Sequence, residues 1–138
     1  MAIKLIKQDA ATLLAAFNER KDEYNALRSV GKWSGAISHG GILLELALKL
    51  VICKNIGAAK LPTMFQIHDL ELLLYCSGLR KDFLSNSVLQ RNFDTVLKRW
   101  SLDLRYQGAS KTRADSEAVH QALFEPANGV LVFLSQYF

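Results

Sequence analysis

One segment, from about residue 34 to residue 55, constrains the fold most, because it is apolar on nearly every side of a helix. Between residues 41 and 53 its only charged side chains are Glu45 and Lys49. A helix that is hydrophobic all round belongs in the interior of a domain. Glu45 and Lys49 are four residues apart, the spacing at which opposite charges on one helix meet. We therefore predict a central helix with one charged pair on it.

Helical periodicity recurs along the rest of the chain, and strand alternation is nearly absent. Pro126 must kink or restart the last helix. Residues 79–84 are predicted to form a turn and residues 107–112 a polar loop. Short connections between five helices predict an all-α, up-and-down bundle of four or five helices, built as a single domain over residues 1–138. The predicted helices cover about residues 9–27, 34–55, 67–77, 85–104 and 114–138.

Composition excludes several classes of protein. A chain of 138 residues with 50% hydrophobic residues is too apolar to be disordered. No apolar run reaches the roughly 18 residues that a membrane span needs. Cys53 and Cys76 are too few for a disulfide framework, and their spacing matches no zinc motif. No nucleophile elbow, phosphate loop or zinc-protease motif occurs, so we expect a cytoplasmic protein with no membrane segment, metal or cofactor.

Positive charge is concentrated in residues 98–113. This stretch holds five basic residues and only Asp103 as an acid, a net charge of +4 that equals the net charge of the whole chain. One interpretation is a solvated helix end followed by a polar loop. The other is a binding site for an anion such as a phosphate.

Within that stretch, Arg105 and Tyr106 point most directly to a nucleic acid. A guanidinium can hold a phosphate through two parallel hydrogen bonds, and a tyrosine ring can stack on a base. Lys98 and Lys111 would add contacts to the same ligand. The alternative is that Arg105 pairs with carbonyl groups at a helix end while Tyr106 packs on the bundle.

A second pattern is the pair Arg113 and His120. They are seven residues apart, about two helical turns, so they can share a helix face. A histidine that moves a proton and an arginine that offsets phosphate charge would suit RNA cleavage. Such a pair also arises often by chance in a chain with three histidines.

The remaining candidates have structural interpretations. Asp69, after His68, can cap a helix start, and catalysis is the alternative. His39 is expected at an interface or partly buried. Gly40 and Gly41 cost helix stability, which indicates close contact with another helix or with a second subunit.

Taken in order, several short motifs resemble those of HEPN domains, a family of helical nucleotide-binding modules. The helix with Glu45 and Lys49 is similar to the family's Glu-x-x-x-Lys helix, and the segment 68–70 to its His-Asp-Leu helix start. Arg105 and Tyr106 resemble the Arg-Tyr pair of one branch of small prokaryotic members. The resemblance covers about residues 8–138.

This resemblance implies a four- or five-helix bundle that often forms a homodimer. Family members are frequently associated with nucleotidyltransferases, antitoxins or defence systems, and many are metal-independent ribonucleases with an Arg-x(4–6)-His motif. We therefore expect a module that binds a nucleotide, RNA or a partner protein through its Arg-Tyr region. The alternatives are a ribonuclease that uses Arg113 and His120, and a structural partner subunit that presents the Gly40–Gly41 face.

Overall fold

The computed structural model describes residues 8–138. This part of the chain contains seven α-helices and three short 3₁₀-helices. No strand occurs in that part, where Asp9 and Lys60 form one isolated antiparallel bridge. The predicted all-α bundle is thereby confirmed, and residues 1–7 of the predicted domain lie outside the described residues. The α-helices are α1 (Ala10–Ser29), α2 (Trp33–Asn55), α3 (Leu70–Ser77), α4 (Arg80–Ser85), α5 (Ser87–Arg99), α6 (Arg113–Phe124) and α7 (Val130–Leu134). The 3₁₀-helices are Thr63–Phe65, Leu102–Tyr106 and Ser135–Tyr137.

Helix α2 is the central element, as its composition predicts. It packs against α1, α3, α6 and α7, and its residues 43–53 are all buried, including Glu45 and Lys49. By length and composition α2 could cross a membrane, but 83% of its most apolar window is buried inside the bundle. That burial is the environment expected of a core helix that is apolar all round.

Side chains cap the starts of four helices, α1, α3, α5 and α6. Asp9 accepts a hydrogen bond from the amide of Thr12 at 2.7 Å, and Asp69 accepts one from the amide of Leu72 at 3.0 Å. At α6, Thr112 and Asp115 form a reciprocal capping box. Each oxygen satisfies an amide that the first helical turn leaves free. The predicted caps at Asp9 and Asp69 are therefore confirmed.

Two of the predicted boundaries are wrong. The segment predicted as a turn over 79–84 is the short helix α4. The long helix predicted over 85–104 ends at Arg99, because Trp100 is extended, and a separate 3₁₀ turn follows over Leu102–Tyr106. The indole of Trp100 donates to the carbonyl of Ser38 at 3.1 Å, so tertiary contact with α2 replaces continuation of the helix.

The two central glycines explain that contact. A Cβ on Gly41 would lie 2.1 Å from the ring of Trp100, and one on Gly40 would lie 3.2 Å from Leu123. The predicted close approach is therefore real, and it is made inside the chain. Side chains of the same bundle cover both glycines, which fits the predicted contact with another helix, and a structural partner subunit stays a prediction.

Helix α6 runs in the same direction as α2. The amide of Lys111, just before α6, donates to Ser34 at 2.9 Å, while Val119 further along α6 lies beside Gly40. Both helices therefore begin at the same end of the bundle, where the 107–112 loop also lies. Past Pro126 the chain restarts as α7, one of the two outcomes predicted for this proline.

Candidate functional site

The predicted Arg-Tyr pair lies on the 3₁₀ turn Leu102–Tyr106 rather than at the end of a long helix. Leu104 is buried and anchors this turn in the core, so the next two side chains are left outside. The Tyr106 side chain is 78% exposed, and the guanidinium carbon of Arg105 lies 5.1 Å from the centre of its ring. The alternative in which Tyr106 packs on the bundle is therefore wrong.

An open groove of about 510 Å³ follows directly after this turn. One wall is the 107–111 loop, including Gln107 and Lys111, and the other is the start of α2, including Lys32 and Trp33. Arg113 joins the same region, because its guanidinium carbon lies 6.0 Å from the centre of the Trp33 ring. The groove thus combines cationic and aromatic side chains.

In the described part of the chain the cations around this groove form no salt bridge, although the charge of Lys111 helps to lower the pKa of Asp115. We call Lys98, Arg105, Tyr106, Lys111 and Arg113 the basic surface. Within residues 8–138, no carboxylate lies within 4.0 Å of its four cations or of Lys32. Asp115, at the start of α6, is engaged with the cap at Thr112 and lies 3.7 Å from Arg99.

The structure places the members of the basic surface unequally. Lys111 lines the groove, Arg113 contacts a ring that lines it, and Tyr106 immediately precedes Gln107 on its wall. Lys98 is exposed near the end of α5, where the Arg99–Asp115 pair joins α5 to α6. Lys98 is not among the described residues that line the groove.

Lys32 and Trp33 are members of the groove that sequence reasoning missed, because it assigned them to a connecting loop. A cation followed by an indole at a helix start is the signal that was present. Relating that signal to the 107–111 loop required knowing that α2 and α6 begin at the same end. No side chain caps the start of α2, so its positive end also faces this region.

The pair proposed for catalysis has two different environments. Arg113 lies over Trp33, whereas His120 packs against Tyr24 of α1 and Phe124 of α6. The Nδ1 atom of His120 lies 2.9 Å from the Tyr24 hydroxyl. Burial raises the pKa of the Tyr24 hydroxyl well above its usual value, so that hydroxyl stays protonated. It donates to Nδ1 or accepts from it according to the tautomer of the ring.

A second set of partners completes the contact between α1 and α6. Arg28 of α1 donates to Glu117 of α6 at 2.9 Å. Burial first, and the charge of Arg28 second, lower the pKa of His120 below its usual 6.5. We call Tyr24, Arg28, Glu117 and His120 the α1–α6 seam. The catalytic role of Arg113 and His120 stays a prediction.

Three residues of the motifs that resemble HEPN domains, Glu45, Lys49 and His68, are in contact in the structure, although His68 is distant from the other two in sequence. Glu45 accepts from Lys49 at 3.2 Å through one oxygen and from His68 at 2.7 Å through the other. His39 has its own partners, Glu23 at 2.7 Å and the carbonyl of Gly35 at 3.1 Å. Across residues 8–138, no three His, Cys, Asp or Glu side chains are grouped so that they could hold a metal ion.

The fold and the groove define an all-α helical bundle with a cationic, aromatic surface. Comparisons with known proteins found no matching family model, no matching curated protein and no matching solved structure. The HEPN resemblance thus rests on the motifs alone.

Proposed function

We propose that this chain is a HEPN-like helical module that binds single-stranded RNA through the basic surface. The observation that carries the proposal is an open groove lined by Lys111 and Trp33, with Arg113 over the Trp33 ring. The exposed pair Arg105 and Tyr106 directly precedes one wall of that groove. Surface cations that serve only solubility need no such arrangement, whereas phosphate contacts and base stacking together are how proteins bind single strands. A nucleotide would use the same contacts on a smaller scale.

Each part of the surface has a distinct task in this proposal. Tyr106 offers an exposed ring for a base, with Arg105 placed to hold an adjacent phosphate. Lys111 and Arg113 neutralise the phosphate backbone along the groove. The uncapped start of α2 adds free amides and the positive end of the helix dipole.

The resemblance extends the proposal to the protein's cellular setting. A homodimer, a cytoplasmic location and a nucleotidyltransferase or antitoxin partner are what the family pattern implies. The surface itself favours RNA over a partner protein, since clustered cations next to an exposed aromatic ring suit phosphates and bases.

The direct test is binding of a fluorescently labelled, unstructured RNA, measured by anisotropy at about 50 mM and about 200 mM salt. Binding should weaken steeply with salt. Tyr106→Ala should lose about 1–3 kcal/mol of binding free energy, and Arg105→Ala should lower the salt slope by about 0.7. Arg91→Ala, which removes an exposed arginine from α5, is the matched control.

Absence of binding at low salt, or equal affinity of Arg105→Ala and Arg91→Ala, would show that the proposal is wrong. The same RNA reports on the ribonuclease alternative. Cleavage in EDTA that leaves 2′,3′-cyclic phosphate ends and is lost in His120→Ala would favour that alternative over a binding module.

A further inference from the structure

The charged cluster of Glu45, Lys49 and His68 lies outside the proposed RNA surface. Glu45 and Lys49 are buried on α2, at 7% and 2% exposure. A buried ion pair is seldom more stable than apolar side chains of the same volume. Stability alone therefore gives no reason to keep this pair in the core. Its one solvent-facing member is His68, whose side chain is 56% exposed.

The hydrogen bond to Glu45 fixes the tautomer of His68. A carboxylate has only acceptor atoms, so Nδ1 of His68 must carry the proton that it shares with Glu45 at 2.7 Å. The other nitrogen, Nε2, then carries the lone pair in the neutral ring. A carboxylate behind an imidazole is the arrangement that orients histidines whose second nitrogen reacts or binds a metal.

The other two histidines of the chain differ from His68 in the partners of their rings. His39 has both ring nitrogens engaged, with Glu23 and with the carbonyl of Gly35. His120 is held at Nδ1 by Tyr24 and packs against aromatic rings. His68 alone of the three combines an oriented ring with exposure to solvent.

We propose that His68 is a phosphoryl-acceptor site, modified at Nε2 by small donors such as phosphoramidates or acyl phosphates. The lone pair of Nε2 forms a bond to phosphorus, and the bond from phosphorus to the leaving group breaks. With phosphoramidate, the leaving group departs as ammonia. The ring becomes cationic in the product, and Glu45 stabilises that charge through Nδ1 while Lys49 holds the carboxylate in place.

The test uses the folded full chain, potassium phosphoramidate as donor, and mass spectrometry of proteolytic peptides handled at alkaline pH. His68 should be phosphorylated before His39 and His120. It should also react faster in the folded protein than in the chain unfolded by guanidinium, where exposure is complete but Glu45 is no longer behind the ring. Equal reaction of all three histidines, or a folded rate no higher than the unfolded one, would overturn the proposal.

A double variant isolates the role of the pair. Glu45→Met with Lys49→Met removes both charges at similar volume, a replacement that cores commonly tolerate. His68 should then react about tenfold more slowly, the lower end of the effect seen when the carboxylate behind a metal-bound histidine is removed. An unchanged rate would remove Glu45 from the proposal. If circular dichroism shows that the variant does not fold, the comparison of folded and unfolded wild type decides the matter.

Discussion

The first turn of α6 and the two turns after it differ in whether their charged side chains have partners in the fold. In the α1–α6 seam, Arg28 is paired with Glu117 at 2.9 Å, and Nδ1 of His120 shares a hydrogen bond with the Tyr24 hydroxyl. At the helix start, Arg113 lies over the Trp33 ring and forms no salt bridge within residues 8–138. Tyr24 is buried, and a buried polar group must be satisfied within the fold, whereas an exposed cation can remain without a partner.

This difference separates structural residues from ligand-binding ones. Removing a seam residue should lower the free energy of unfolding and leave RNA binding intact as long as the chain is folded. Removing a residue of the basic surface should do the reverse. The comparison would fail if variants of the two regions behaved alike.

The largest effect is expected for Tyr24→Ala. This side chain is fully buried and packs against Gly40, His120 and Phe124. Truncating a buried aromatic ring leaves a cavity and typically costs about 3–5 kcal/mol. Urea unfolding followed by circular dichroism measures the loss.

Tyr24→Phe is the control that keeps the ring and removes only the hydroxyl. Because His120 is partly exposed and can turn to water, the cost should be about 1 kcal/mol. If Tyr24→Ala cost no more than Tyr24→Phe, packing would not be what holds this seam together.

Local signals were enough to predict the elements whose structure is decided locally. The all-round apolar pattern of residues 41–53 predicted the central helix, and Asp9 and Asp69 predicted two helix starts. Trp100 is a position where local signals predict the wrong structure. Its periodicity fits a helix, but its ring packs onto Gly41, and the chain leaves the helix there. Nothing local distinguishes a tryptophan that continues a stripe from one that ends it.

The residues of the candidate site also fall into two groups, those that the sequence could reveal and those that only the fold brings together. Arg105, Tyr106 and Lys111 could be found because they lie in one short, charge-rich stretch. Trp33 could not, since only the parallel arrangement of α2 and α6 brings it to that stretch. The partner of His120 could not be predicted either, because Tyr24 lies on a helix near the other end of the sequence.

A smaller effect is expected from pH. Burial and Arg28 lower the pKa of His120 below 6.5, so the folded protein holds this proton less tightly than the unfolded chain does. Unfolding therefore takes up a proton in this range, and stability falls as the pH drops through 6.5 towards the folded pKa. Above 6.5 the contribution is fully present.

The measurement compares urea unfolding of the wild type and His120→Gln at about pH 5 and about pH 7.5. Glutamine can still accept from Tyr24, so the variant removes titration and keeps an acceptor. The wild type should lose more stability than the variant on acidification. Identical losses would mean that His120 is not the group responsible, since other titrating groups cancel in the comparison.

The smallest effect on stability is expected for the basic surface itself. Tyr106 and Arg105 are both exposed, and Arg105 lies over the Tyr106 ring, so Arg105→Ala and Tyr106→Ala should change the free energy of unfolding by less than about 0.5 kcal/mol. Their RNA affinity should nevertheless fall, as the proposed function requires. A loss of stability as large as that of Tyr24→Phe would mean that these side chains hold the 3₁₀ turn in place, and any loss of binding would then reflect the fold rather than the contact. Stability within this limit, with weakened binding, ties the loss to the side chains themselves, because the turn is anchored by Leu104 in the core.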